Sequence, residues 1–141
     1  MAQKPYLAAI DYGDKRVGMA IAHVIARLPR PLTTLPSDDR LLDAIRDLVQ
    51  REDIGLVVVG LPRGMDGGYT EQTKKAAAFA QQLAAHIPVP VEQADETLSS
   101  VDAEAALAGK AYSKGDVDAM AAVMILDRYL TEHPAEGATH V

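Results

Sequence analysis

The chain has no cysteine, no tryptophan and a single phenylalanine among its 141 residues. Without cysteine there is no disulfide, no thiolate nucleophile and no zinc–thiolate site. With so few aromatic rings, the core has to be built from Ala, Val, Leu, Ile and Met. Apolar residues make up 48% of the sequence, which is enough for that. No apolar run approaches the roughly 18 residues that a membrane-spanning helix needs. The start, Met1-Ala2-Gln3-Lys4-Pro5, lacks the basic-then-apolar form of a signal peptide. These absences predict a cytoplasmic protein with no membrane association.

An excess of basic residues is also missing. Fourteen Lys and Arg stand against twenty Asp and Glu, a formal net charge of −6. That argues against coating nucleic acid by bulk electrostatics, which takes clustered Lys and Arg. It does not exclude an enzyme acting on nucleic acid, because carboxylates that hold divalent cations are counted as negative while the loaded site attracts phosphate.

The length suits one domain, expected over residues 1–132, with a loose tail over 133–141. Leu7–Ile10 and Val17–Val24 are apolar runs separated by Asp11-Tyr12-Gly13-Asp14, which reads as a hairpin. Pro31–Leu35 is a candidate third strand. Ser37 is the expected cap of a first helix carrying Leu41, Leu42, Ile45, Leu48 and Val49 and ending near Gly55. Leu56–Val59 has the branched apolar pattern of a strand covered on both faces. A loop with Gly64, Gly67 and Gly68 follows it. Thr70–His86 predicts a second helix, Val89–Ala94 a strand, Leu98–Ala108 a third helix opened by Ser99 and Asp102, and Ser113–Glu132 a last helix. The order implies an α/β fold with a mixed sheet and helices on its faces. Sites in such sheets lie beyond the carboxyl ends of the parallel strands, where Asp11, the Gly60 loop and Asp95-Glu96 all fall.

Three acidic positions draw attention. Asp11 follows a buried apolar run, where a carboxylate is costly unless it is paired or binds a cation; the alternative is a turn-forming Asp beside Gly13. Asp95 and Glu96 are adjacent, so in extended chain they point to opposite sides and only one faces a site; either one can instead precede the helix cap. In the last helix, Asp118 shares a face with Ala121, Ala122, Ile125 and Tyr129, the apolar stripe, whereas Asp116 shares a mixed face with Met120, Val123 and Asp127. Asp118 is therefore the functional candidate and Asp116 a capping residue. Three carboxylates from distant segments suit Mg2+ or Mn2+, which prefer oxygen ligands and serve phosphodiester chemistry without Cys or His. The four histidines show no ligand spacing. Lys15 and Arg16, after the Asp11 turn, and Arg63, in the central loop, are candidate phosphate contacts.

Several ordered blocks then resemble the YqgF (RuvX) family of ribonuclease H-like proteins, over about residues 6–130. They are Ile10-Asp11-Tyr12-Gly13-Asp14-Lys15-Arg16-Val17-Gly18; Val58-Val59-Gly60-Leu61-Pro62 with Met65-Asp66-Gly67; Asp95-Glu96-Thr97-Leu98-Ser99-Ser100; and Val117-Asp118-Ala119-Met120-Ala121-Ala122. The resemblance implies a ribonuclease H fold, here a five-stranded mixed sheet with helices on both faces, and Asp11, Glu96 and Asp118 as metal-binding, catalytic acids. It also implies 5′-end maturation of pre-16S ribosomal RNA, with a Holliday junction resolvase as the alternative. Thr97 stands where the family usually has Arg, and Arg63-Gly64 replaces its usual apolar residue and Asn.

The expected partners are structured RNA, branched DNA and a ribosomal particle, with the chain a monomer or a homodimer. Two other classes compete. An ATPase of the actin and sugar-kinase kind also begins with Asp-x-Gly after a first strand, but it binds nucleotide between two domains. A non-catalytic RNA-binding assembly factor would not need Asp11.

Overall fold

In the computed structural model, residues 4–64, 66–96 and 114–133 are described, with the backbone alone at 96 and 114–118. The strands are β1 (Tyr6–Tyr12), β2 (Arg16–His23), β3 (Arg30–Pro36), β4 (Ile54–Pro62) and β5 (Val91–Glu96). The helices are α1 (Leu41–Arg51), α2 (Glu71–His86) and α3 (Lys114–Glu132). All five strands form one sheet in the order β3-β2-β1-β4-β5. The first three are antiparallel neighbours, whereas β4 runs parallel to β1 and β5 parallel to β4. The expected five-stranded mixed α/β sheet is the one observed. The expected helix over Leu98–Ala108, with its Ser99–Asp102 cap, lies outside the described residues. So do Thr97 and the tail beyond His133.

Alternation along the strands sends side chains to two cores. Ala8 and Ile10 of β1, Val17, Met19 and Ile21 of β2, and Val57 and Val59 of β4 pack with Ile45, Leu48, Phe79 and Leu83 of α1 and α2. Leu7 and Ala9, Ala20 and Ala22, and Val58 face the other way, onto Ala122, Ile125, Leu126, Tyr129 and Leu130 of α3. The α3 face of β1 and β2 is mostly alanine, which lets that helix come close to the sheet. The stripe read from the sequence is buried: Ala121, Ala122, Ile125 and Tyr129 are in the core, while Asp127 is exposed.

One expected helix start differs from the structure. Ser37 does not cap α1; its N–H donates to the Lys15 carbonyl at 2.9 Å, tying it to the β1–β2 turn. A turn over Asp38–Leu41 intervenes, and α1 begins without a side-chain cap at Arg40. The start of α2, by contrast, is capped on both sides. Thr70 Oγ1 accepts from the Thr73 N–H, and Thr73 Oγ1 accepts from the Thr70 N–H.

Asp95 and Glu96 belong to β5 itself rather than to a segment after it. Their rungs on β4 are Leu61 and Pro62.

Candidate nucleolytic site

The site is built at the carboxyl ends of the parallel strands. Asp11 is the penultimate residue of β1 and is half-buried. Its parity is that of Leu7 and Ala9, so it lies on the α3 face of the sheet, while Tyr12 lies on the other face, stacked 4.4 Å from Phe79. The turn after Asp11 is tight: a Cβ at Gly13 would stand 2.6 Å from the Arg16 carbonyl oxygen. Gln72 Nε2 of α2 donates to the Tyr12 carbonyl at 3.1 Å, fixing the strand end from the opposite side.

Both neighbouring strands present glycine beside Asp11. Its cross-strand partner on β2 is Gly18. On β4, one step past the rung joining Ile10 to Val59, comes Gly60, which pairs in turn with Ala94 of β5. The floor next to the Asp11 carboxylate is thus made of small residues.

Glu96 has the parity of Glu92 and Ala94, positions on the α3 face of β5. It stands two strands over from Asp11 and two residues further along, roughly 12 Å between Cα atoms for standard sheet spacings. Asp95 has the opposite parity.

Position 118 is brought to the same end by the direction of α3. The helix C-terminus is held at the amino end of the parallel strands. Arg27 Nη2, in the β2–β3 loop, donates to the Leu130 carbonyl at 2.8 Å and also to that of His133. Tyr129 Oη donates to Glu92 Oε1 at 3.1 Å. From Leu130 back to Asp118 is about 18 Å of helix at 1.5 Å per residue. From Tyr6 to Asp11 is about 17 Å of strand. The start of α3 therefore lies toward the carboxyl ends of the parallel strands, the end that carries Asp11 and Glu96. The Glu96 and Asp118 side chains, and that of Asp116, lie outside the described residues.

Among the described residues, no three of His, Cys, Asp and Glu are grouped so as to hold a metal ion. His23 Nδ1 accepts from the Ile25 N–H, His86 pairs with Asp43 at 2.8 Å, and His133 stacks on Tyr129. None of these three histidines stands at the Asp11 end of the sheet, and the three candidate positions are all acids, whose oxygens fit a hard divalent cation.

The basic candidates divide. Lys15 is exposed in the β1–β2 turn and Arg16 is half-buried at the start of β2, both within a few residues of Asp11. Asp14 between them and the strand end pairs with Lys75 of α2 at 3.3 Å. Arg63 is engaged elsewhere. Its Nη2 and Nε lie 2.7 and 3.2 Å from Asp95 Oδ1, and its guanidinium carbon sits 4.1 Å from the centre of the Tyr69 ring. The hydrogen bond to Asp95 is the main cause that raises the Arg63 pKa above its ordinary value.

Sequence reasoning missed this pair, since nothing in the chain marks two residues 32 positions apart as partners. It also missed the flanking glycines. The hairpin gave a usable signal there, because folding about the Asp14–Lys15 turn sets Asp11 opposite Gly18.

An acid at the end of a central strand, an antiparallel unit followed by parallel strands and a helix across the acid-bearing face define a ribonuclease H-like fold. The chain belongs to the RuvX family, whose model, described as Holliday junction resolvase, matches residues 5–132. A relative from Paraburkholderia phymatum, named "Putative pre-16S rRNA nuclease", is 38% identical over 133 residues, covering 93% of this chain and 88% of that one. One of the same name from Shewanella oneidensis is 38% identical over 129 residues, covering 87% and 92%. Among solved structures, Thermus thermophilus RuvC bound to a Holliday junction substrate superposes with a TM-score of 0.57 at 15% identity, covering 92% of this chain and 97% of that one. That likeness shows the fold. As a nuclease of this family the chain acts on nucleic acid with a divalent metal ion. No described helix is long and apolar enough to cross a membrane.

Proposed function

We propose that the chain hydrolyses phosphodiester bonds in the 5′-end maturation of pre-16S ribosomal RNA, with Asp11, Glu96 and Asp118 holding Mg2+ or Mn2+. What supports this reading is that Asp11 and Glu96 stand at the carboxyl ends of β1 and β5, beside glycine on two strands, and that α3 starts toward the same end. The names of the curated relatives supply the substrate. Asp11, Glu96 and Asp118 would hold the divalent ion, which would supply activation of water and stabilisation of the leaving oxygen. The protein's own part is to hold Asp11 rigidly at the strand end and to keep bulky side chains away from it. Lys15 and Arg16 guide the phosphate backbone toward the acids. Local positive charge is needed there, because the chain as a whole is acidic.

The substrate is presented as structured RNA, on a ribosomal particle, in the cytoplasm, and the chain works as a monomer. A second reading, a resolvase cutting four-way DNA junctions, is favoured by the description of the family model. It calls for a homodimer, since two strands are cut.

The deciding experiment offers pre-16S RNA and a four-way DNA junction to wild type and Asp11→Asn, with Mg2+ or Mn2+, alongside the mass in solution. The expected result is RNA cleavage by a monomer, reduced at least a hundredfold in Asp11→Asn. Cleavage of the junction alone by a dimer establishes the second reading. Equal activity in Asp11→Asn removes the site.

A further inference from the structure

The loop between β4 and α2 is tied down by contacts that end on β5. Gly64 N–H donates to the Gly68 carbonyl at 2.9 Å, and Gly67 N–H to the Gly64 carbonyl at 2.8 Å. Asp66 Oδ1 accepts from the Gly68 N–H, and Gly67 takes a φ of 79°, which glycine adopts without strain. The turn brings Tyr69 back over Arg63, whose side chain is only 19% exposed although it is a loop arginine. From under that ring the guanidinium reaches across to Asp95.

We propose that Arg63 is a positioning residue for the acidic site: by clamping Asp95 it fixes the end of β5 on which Glu96 stands. The inference rests on the reading of Glu96 as a metal-binding acid. Arg63 is the first residue after β4, and Asp95 and Glu96 form the last two rungs of the β4–β5 ladder. Among the described strands, β5 is the sheet edge and has β4 as its one neighbour, so its end is held from one side only. Adjacent strand residues alternate between faces. Holding Asp95 on the α2 side therefore assigns position 96 to the α3 side, with Asp11. The clamp engages Nε and Nη2 of Arg63.

The test uses the full chain and four variants: Arg63→Lys, Asp95→Asn, the double variant Arg63→Met/Asp95→Asn, and Asp11→Asn as a control. The double variant restores the charge balance but not the clamp. Mn2+ affinity is read by electron paramagnetic resonance and RNA affinity against salt without metal. Single-turnover cleavage gives the rate and the half-saturating concentration. Outer partners of metal ligands typically contribute ten- to a hundredfold in metal affinity or activity. The double variant is expected to bind Mn2+ about tenfold more weakly and to cleave correspondingly slowly. Its half-saturating RNA concentration and salt slope should stay at the wild-type values. Arg63→Lys, which keeps the charge and loses the fork, should fall between the two.

Wild-type Mn2+ affinity in the double variant overturns the clamp. So does a salt slope that falls by about one in that variant, which would make Arg63 a phosphate contact. Failure of the underlying site looks different: Asp11→Asn would then bind Mn2+ as tightly as wild type. Thermal midpoints of all variants exclude unfolding as the cause, and Asp95→Asn alone carries the test should the double variant not fold.

Discussion

Asp11 on β1 stands directly across from Gly18 on β2, so the position nearest its carboxylate in the antiparallel ladder has no side chain. Gly60 stands beside it on the parallel side. A branched residue at position 18 would suit a central strand by propensity. Cross-strand Cβ atoms are about 4.5–5.5 Å apart, so its methyl groups would fill the space beside the carboxylate. Gly18→Val is expected to lower cleavage at least tenfold while the fold survives, with overpacking costing about 1–3 kcal/mol. Gly18→Ala should retain most activity. The check is single-turnover cleavage with Mn2+ alongside urea unfolding. A fully active Gly18→Val would mean that open space beside Asp11 is not needed.

Much of this arrangement was legible because it follows from periodicity. The alternation in β1 and the 3.6-residue stripe of α3 are local patterns, and each identifies its own buried face. They place Asp11 at a strand end and Ala121, Ala122, Ile125 and Tyr129 on the buried stripe of α3. The direction of α3 was not legible, since it depends on Arg27 and Tyr129 reaching groups far away in sequence. Ser37 misled for a related reason. It has the right side chain for a cap, but its backbone N–H is taken by Lys15 of the hairpin. A tertiary hydrogen bond displaced a local preference.

Thr73 is the one buried polar residue among the described side chains, at 0% exposure. Its hydroxyl donates to the Pro62 carbonyl at the end of β4 and accepts from the Thr70 N–H at 3.0 Å. One side chain thus joins the end of a site-bearing strand to the start of α2. Thr73→Val keeps the volume and removes both bonds, each worth about 0.5–1.5 kcal/mol. Thr70→Ala removes the ordinary cap alone, about 1 kcal/mol. Thr73→Val should therefore be the more destabilising of the two in urea titrations. The reverse order would show that the link to Pro62 contributes little.

Tyr129 ties stability to alkaline pH. Burial among the α3-face core raises its phenol pKa to about 12, with the charge of Glu92 and the hydrogen bond to it adding to the effect. The unfolded chain ionises its tyrosines near pH 10. A group whose pKa is higher in the folded state contributes stability that is fully present below about pH 10 and is lost as pH rises toward about 12. At neutral pH, Tyr129→Phe should cost about 1 kcal/mol for the lost hydrogen bond, since Glu92 lies at the surface and can be rehydrated. That deficit should shrink and then reverse between pH 10 and 12, because phenylalanine has no proton to lose. Urea midpoints of both proteins at pH 8, 10 and 11.5 measure it directly. A gap that stays constant across that range would show that Tyr129 ionises alike in the folded and unfolded chains.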